Sequence, residues 1–381
     1  MGSLSLVPLR ILHCLESVGS GGVEQRRLLL AKGLDRTEFS QALICTQAMG
    51  GLPERFAQAG CALHEIGVFR HIGDKERYTR ALRIIEDYRP HIIHGAVFEG
   101  VAVAAVAGRL GGVPIIVGEE TSDPVNRRWR GHLLYRSLAA LTHRMVAISP
   151  AVRDYLVRRI AIAERRVALI NNGVAEPAPV DGAVVARLRA SLGITADDIV
   201  IGSVGRLHDD HKRFSDLIRA LVTVRQSCPV AKLLIVGGGQ DEAMLRSLAA
   251  KLGVGDHVLL AGYQPDPQPY YELMHVFALA SAYEGLPLVV VEAMFKGLPV
   301  VATRVAGIPW VVQEGEMGFL VEPLAPEALA MRLIQLCSDQ GLRRRMGGKG
   351  RLRAKSEFNA DRYVGDVAAL YRTLAAERLG Q

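Results

Sequence analysis

Residues 276–296, VFALASAYEGLPLVVVEAMFK, decide how the chain is to be read. The first five are apolar without alternation, as in a strand covered on both faces of a parallel sheet. The polar stretch SAYEG breaks the run, and the apolar segment after it suits a buried helix. Pro287 fits its first turn, where a missing N–H costs nothing. Strand, polar loop and helix in that order make one unit of a doubly wound α/β sheet, whose ligands bind outside the carboxyl ends of the strands. Glu284 then stands at a strand's carboxyl end, and Glu292 lies about a turn and a half inside the helix. The two carboxylates can reach different parts of one extended ligand. Glu292, within LVVVEAMF, needs a partner if buried, and sugar hydroxyls suit a carboxylate acceptor. The plain alternative is a glutamate favoured by a helix N-terminus and a second one unrelated to it.

The same pattern continues on both sides. Towards the C-terminal half, strands are expected at 199–204, 232–236, 257–261, 276–280, 299–302 and 318–321. In the N-terminal half they are expected at 9–14, 41–46, 91–94, 114–117, 144–148 and 166–170, with helical patterns such as 23–34 and 99–110. The Pro- and Ala-rich stretch AEPAPVDG, residues 175–182, reads as a linker. The expected architecture is two doubly wound domains, 1–175 and 183–360, facing one another across a cleft. A final helix within 361–381 crosses back to the first domain.

Composition agrees and excludes several classes. A chain of 381 residues suits two domains, and 49% hydrophobic with 22% charged residues describes a soluble globular protein. The longest apolar candidate, 101–117, is interrupted by Arg109, and the N-terminus reads as a strand rather than a secretory leader. Five scattered cysteines without C-x-x-C spacing read as core residues in a reducing compartment, so a cytoplasmic location is expected. The net charge of +7 falls wholly within residues 1–175, where 21 of 23 basic residues are arginine. Such a surface suits anionic lipid headgroups or phosphates, or is simply a solvated face.

Two further loops carry suitable chemistry. In SVGRLHDDHKRF (203–214), Gly205 permits a sharp turn, and Arg206 and Lys212 place two cations at a helix mouth, as a diphosphate requires. His208-Asp209-Asp210-His211 in that loop reads as a solvated turn, since adjacent loop residues rarely converge on one metal. In SVGSGGVEQRRLLL (17–30), Gly21 and Gly22 allow close backbone approach to a ligand or form an ordinary strand-to-helix turn.

Taken together, these residues resemble the retaining glycosyltransferases of family 4, which have the GT-B fold. The resemblance covers nearly the whole chain. It rests first on E-x7-E at Glu284 and Glu292, VGRL at 204–207 with Lys212, and the Gly21–Gly22 loop. HVLLAGY (257–263), GLPVVAT (297–303), GIP (307–309) and NNGV (171–174) add to it in the family's order. The resemblance implies transfer of a hexose-type sugar from a UDP- or GDP-sugar, without a metal or other cofactor. No D-x-D occurs in the sequence. It further implies that Arg206 and Lys212 hold the diphosphate, Glu292 accepts from the ribose and Glu284 contacts the transferred sugar. Backbone amides of Gly285, Leu286, Pro287 and Leu288 would belong to the same site, except that Pro287 has none to give. Gly262 and Tyr263 would lie near the base. His94 matches a family histidine near sugar and acceptor. The family's second histidine is Ala96 in this chain, and a third is replaced by Glu119 and Glu120, either of which could orient an acceptor hydroxyl.

The acceptor is expected among glycolipids, saccharides and small metabolites. The stretch 123–144, DPVNRRWRGHLLYRSLAALTHR, mixes arginines with Trp129, Leu133, Leu134 and Tyr135. It could rest on an anionic membrane's inner face, or pack as a helix with snorkelling arginines. A sugar-nucleotide epimerase or hydrolase on a similar scaffold is the alternative reaction. A non-catalytic binder of membrane or nucleic acid has no need of Glu284 and Glu292, so no nucleic-acid partner is expected.

Overall fold

A computed structural model describes residues 8–19, 21–122 and 127–380, and in it the apolar runs pair into two separate sheets. The chain divides into two compact units, one running to Ala175 and resuming at Ala360, the other spanning Glu176–Asn359.

The first unit holds a seven-stranded sheet. Its strands are β1 (Leu9–Cys14), β2 (Phe39–Cys45), β3 (Ala62–Glu65), β4 (Ile92–Ala96), β5 (Ile115–Glu120), β6 (Arg144–Ala147) and β7 (Val167–Leu169), in the order β3-β2-β1-β4-β5-β6-β7. Each of these pairings is parallel. The unpredicted strand of this sheet is β3, whose ALHE sits half-exposed at the edge and so lacks a continuous apolar run; Ser17–Val18 and Gln47–Ala48, also unpredicted, pair as a separate two-stranded ladder. Helices α1 (Gly22–Gly33), α2 (Val97–Leu110) and α3 (Trp129–Leu141) come after β1, β4 and β5. One face of the sheet packs Leu12, Ile44, Ile93 and Ile116 against Val103, Ala104 and Ala107 of α2.

The second unit holds six parallel strands: β8 (Ile199–Val204), β9 (Ala231–Val236), β10 (Val258–Leu260), β11 (Val276–Leu279), β12 (Val300–Thr303) and β13 (Gly318–Val321). Their order is β10-β9-β8-β11-β12-β13. Helices α4 (Asp209–Lys212), α5 (Phe214–Ser227) and α6 (Leu288–Phe295) carry the residues of interest. Pro287 precedes the first helical residue of α6 as its N-cap, one step earlier than expected.

The final helix, α7 (Ala360–Leu379), packs on the first unit. Tyr363, Val367, Leu370, Tyr371 and Leu374 join Ile11, Ile92, Ile115 and Val117 in one apolar cluster, covering the sheet face opposite α2. Cys14, Cys45, Cys61 and Cys337 are buried, Cys228 is half-buried, and all five are free.

Candidate functional site

In each sheet the strand order reverses beside its first strand, between β1 and β4 and between β8 and β11, and a crevice opens there at the carboxyl edge. The second sheet shows why. β8 pairs with β9 over all six residues but with β11 only at Ile201–Val276 and Gly202–Phe277. Beyond those positions the two segments part, and the loops after β8 and β11 flank the gap.

Lys212, the last residue of α4, spans it. Its Nζ donates to Glu284 Oε1 at 2.5 Å, and Ser281 Oγ donates to the same oxygen at 2.7 Å. The Ser281 carbonyl accepts from Thr303 Oγ1 at 2.6 Å, which ties the strand end to β12. Glu284 Oε2 makes no hydrogen bond or ion pair with a described residue. Arg206 is exposed, and its guanidinium likewise makes none with a described residue. The edge therefore offers one committed cation, one uncommitted cation and one free carboxylate oxygen.

A glycine run after β9, not singled out in the sequence, shapes the neighbouring loop. Gly237 has φ +150°, and a Cβ there would lie 1.8 Å from the Gly205 carbonyl oxygen. A Cβ on Gly239 would meet the Leu207 carbonyl oxygen at 2.3 Å. Only glycine lets this loop press against Gly205–Leu207. The Gly237 N–H donates to the Gly262 carbonyl at 2.9 Å, which brings in the loop bearing Tyr263, 62% exposed. Three consecutive glycines directly after AKLLIV were the available signal.

Glu292 has the partner that a glutamate in an apolar segment requires. Its buried partner is the Tyr271 hydroxyl, which donates to Oε2 at 2.8 Å. Burial raises its carboxyl above the usual range, and the Tyr271 bond acts the other way. Leu286 and Pro287 are buried while Gly285 and Leu288 are half-buried, and the Gly285 carbonyl accepts from Gly307 N–H at 3.0 Å. No side chain caps the first turn of α6.

The HDDH segment is not a solvated turn. Asp209 is buried: its Oδ1 accepts from Ser215 N–H at 2.8 Å, and its own N–H donates to Asp241 Oδ2 at 2.7 Å. The His211 ring stacks on Tyr283 with centroids 4.3 Å apart and an 8° interplanar angle.

In the first unit the expected residues form a buried ionic network. Gly21 is the N-cap of α1 and Gly22 its first residue, while Ser20 between Gly19 and Gly21 lies outside the described residues. Arg26 and Arg27 of the same helix are buried. Arg27 NH2 donates to Glu119 Oε2 at 2.7 Å, and Arg26 NH2 lies 3.5 Å from Oε1. His94, with no exposed surface, places Nε2 at 3.4 Å from Glu119 Oε2 and Nδ1 at 2.7 Å from the Tyr371 hydroxyl of α7. A carboxylate only accepts, so Nε2 carries the proton and Nδ1 accepts from Tyr371. Burial and then Arg27 lower the His94 imidazole to about 4, against the pull of Glu119. Burial alone would raise the Glu119 carboxyl, but Arg27, with His94 and Arg26, holds it far below the usual range.

Successive strand residues face opposite ways, so Glu120 belongs to another cluster. Its Oε2 accepts from Arg127 at 3.2 Å, and Arg127 in turn lies over the Tyr135 ring at 4.3 Å. Burial raises its carboxyl, with Arg127 opposing. The acceptor role expected for Glu119, and the sugar contact expected for His94, therefore meet side chains already engaged with protein partners. The reason is chemical: strand-end polar groups that pair with helix side chains cannot be told by sequence from those that face a ligand.

Similarity to known proteins bears on the family and the fold. Residues 184–353 match the family described as Glycosyl transferases group 1, and residues 21–173 match the Glycosyl transferase 4-like domain. The chain is 34% identical over 180 residues to the lipopolysaccharide core biosynthesis glycosyltransferase LpsE of Rhizobium meliloti (strain 1021), covering 47% of this chain and 52% of LpsE. It is 30% identical over 185 residues to the N-acetyl-alpha-D-glucosaminyl L-malate synthase of Bacillus anthracis, covering 49% and 48%. The chain thus spans about half the length of these curated relatives. In fold it is similar to Anabaena Alr3699/HepE, solved in complex with UDP and glucose. The TM-score is 0.84 at 21% identity, covering 96% of this chain and 100% of that one.

Proposed function

The chain belongs to the group 1 glycosyl transferases, and on that premise we propose that it transfers a hexose-type sugar from a nucleoside-diphosphate donor to a hydroxyl group, with retention of configuration. The observation that carries the reading is Lys212 held on Glu284 across the β8–β11 crevice, with Arg206 and Glu284 Oε2 left open beside it.

In this proposal the donor diphosphate takes up Arg206 and draws Lys212 towards it. The bond between the anomeric carbon and the diphosphate oxygen breaks, and the electron pair leaves with the diphosphate. The acceptor oxygen forms its bond on the same face and passes its proton to the departing phosphate oxygen. The two cations neutralise charge that grows only as the bond breaks, which is where stabilisation accelerates a reaction. Glu284 Oε2 accepts from the transferred sugar. Glu292, turned by Tyr271, accepts from the ribose with its remaining lone pairs. The loops at Gly237–Gly239 and Gly262–Tyr263 receive the base of a UDP- or GDP-linked donor, and no metal is required.

The acceptor side is proposed to be a glycolipid, saccharide or metabolite. A glycolipid finds support in α3. Trp129 is 66% and Leu133 53% exposed, and Leu134 is exposed with them, while Tyr135, Leu138 and Ala139 pack inward. Arg130 lies over the Trp129 ring at 5.3 Å. An exposed apolar stripe with arginines, on the unit that carries the whole net charge, suits the inner face of an anionic membrane. Asp123 to Asn126 of this stretch lie outside the described residues. No described helix is long and apolar enough to cross a membrane.

The test is incubation of the chain with UDP- and GDP-sugars and a panel of hydroxyl acceptors, with EDTA present, then anomeric assignment of product by NMR. A product retaining the donor's anomeric configuration supports the reading. Sugar epimerised or hydrolysed at an equal rate without any acceptor contradicts it.

A further inference from the structure

The crevice between β8 and β11 is where the proposed chemistry sits, yet the sheet gives it little support. The two strands share only two paired positions. Among the described residues, Lys212 and its neighbour His211 span the gap.

His211 makes three contacts with the opposite loop. Its carbonyl accepts from Ala282 N–H at 2.8 Å. Its Nε2 lies 2.7 Å from the Tyr283 carbonyl oxygen. Its ring lies flat on the Tyr283 ring. A carbonyl can only accept, so Nε2 is the protonated nitrogen. Lys212 on Glu284 is the next rung, and residues 211–212 thus run alongside 282–284 as a short polar ladder. Thr303 and Ser281 hold the far side of the same segment. Burial, and after it the Lys212 charge, lowers the imidazole, with Glu284 and the Tyr283 carbonyl opposing.

We infer that His211 is a positioning residue: by bracing Tyr283 it fixes the backbone of 282–284 and so sets where Glu284 stands relative to Lys212. This role rests on the proposed donor site. A side chain held only by a loop wanders by an ångström or more, and misplacement on that scale is costly to catalysis. The stacked ring supplies area, the Nε2–H supplies direction, and the adjacent Lys212 receives the benefit. His208, Asp210 and Arg213 flank the ladder, and Arg213 is turned to Asp216 instead.

Two variants of the full chain separate this role from simple folding. In His211→Ala, hydrogen exchange at the Ala282 amide and its neighbours rises, while the thermal midpoint stays close to that of wild type. His211→Gln, whose amide can donate to the Tyr283 carbonyl, restores protection. With UDP-glucose and GDP-mannose as probes, His211→Ala lowers kcat for donor cleavage about tenfold or more, while KM changes by less than about threefold. In a Glu284→Gln background the same change costs less than about threefold, because the residue acts through Glu284. Unchanged exchange at Ala282, or an equal fall in kcat in both backgrounds, overturns the inference and leaves the donor site standing. A wild-type chain that neither binds nor cleaves either probe overturns the donor site and this inference together.

Discussion

Lys212 Nζ and Glu284 Oε1 lie 2.5 Å apart, joining loops that leave two strands paired at only two positions. The pair is a resting arrangement in which each group keeps the other in place. Lys212→Ala is expected to lower donor cleavage roughly a hundredfold or more, as for other groups that meet transition-state charge. Lys212→Arg should recover only part of this, since a guanidinium is planar and larger. Steady-state rates with the donor that binds are the check.

Glu119 and Arg27 present a different pair, buried on both sides at 2.7 Å. Removing one partner of a buried ion pair costs about 3–5 kcal/mol, because the other charge remains unpaired. Arg27→Met is therefore expected to shift urea unfolding of the first unit by that order. Nucleoside-diphosphate affinity, assigned to the second unit, should hold at low urea. Loss of affinity with unchanged stability would show that Arg27 and Glu119 serve the ligand rather than the fold.

His94 makes the stability of the first unit depend on pH. Its folded value is lowered to about 4, below the ordinary imidazole value near ~6.5, so over that interval the unfolded chain binds the extra proton. Stability is then present in full above about pH 6.5 and falls as the solution is acidified towards 4. The histidine contributes up to roughly 3 kcal/mol of that fall. His13, also lowered mainly by burial, adds in the same direction. His94→Gln should flatten the slope of unfolding free energy between these limits, and an unchanged slope would contradict the assignment.

Val97 opens α2 with φ +57°, a left-handed conformation that a β-branched residue adopts at a cost. Val97→Asn is expected to raise stability by about 1 kcal/mol, since asparagine tolerates this region. A calorimetric midpoint is the measurement, and destabilisation would show that the valine side chain contributes more than the strain removes.

The α3 stripe predicts binding to vesicles of anionic lipid and little to neutral ones, weakening with salt. Trp129 emission should shift to the blue on binding. Trp129→Ala with Leu133→Ala should abolish flotation without altering donor cleavage in solution. Equal binding to neutral vesicles would contradict the electrostatic part.

Much of the fold was legible because both sheets are covered on both faces, which makes strands such as Ile199–Val204 and Leu9–Cys14 largely apolar runs. The edge strand at Ala62–Glu65, half-exposed, carried no such run. Lys212 and Glu284 were expected in one site from their loops, and the structure brings them into contact. What the sequence hid were partners distant along the chain. Tyr271 answers Glu292, Tyr283 answers His211, and Arg26 and Arg27 answer Glu119. Polar residues in apolar surroundings announce that a partner exists, but only the folded chain says which one.

The donor site at the β8–β11 crevice is the central claim, and isothermal titration of the full chain with UDP and GDP, without added metal, tests it most directly. Saturable binding of at least one of them is predicted, weakened about tenfold or more by Arg206→Ala and by Lys212→Ala, as expected when a charge-assisted contact to phosphate is lost. Binding of neither, or binding indifferent to both substitutions, would contradict it.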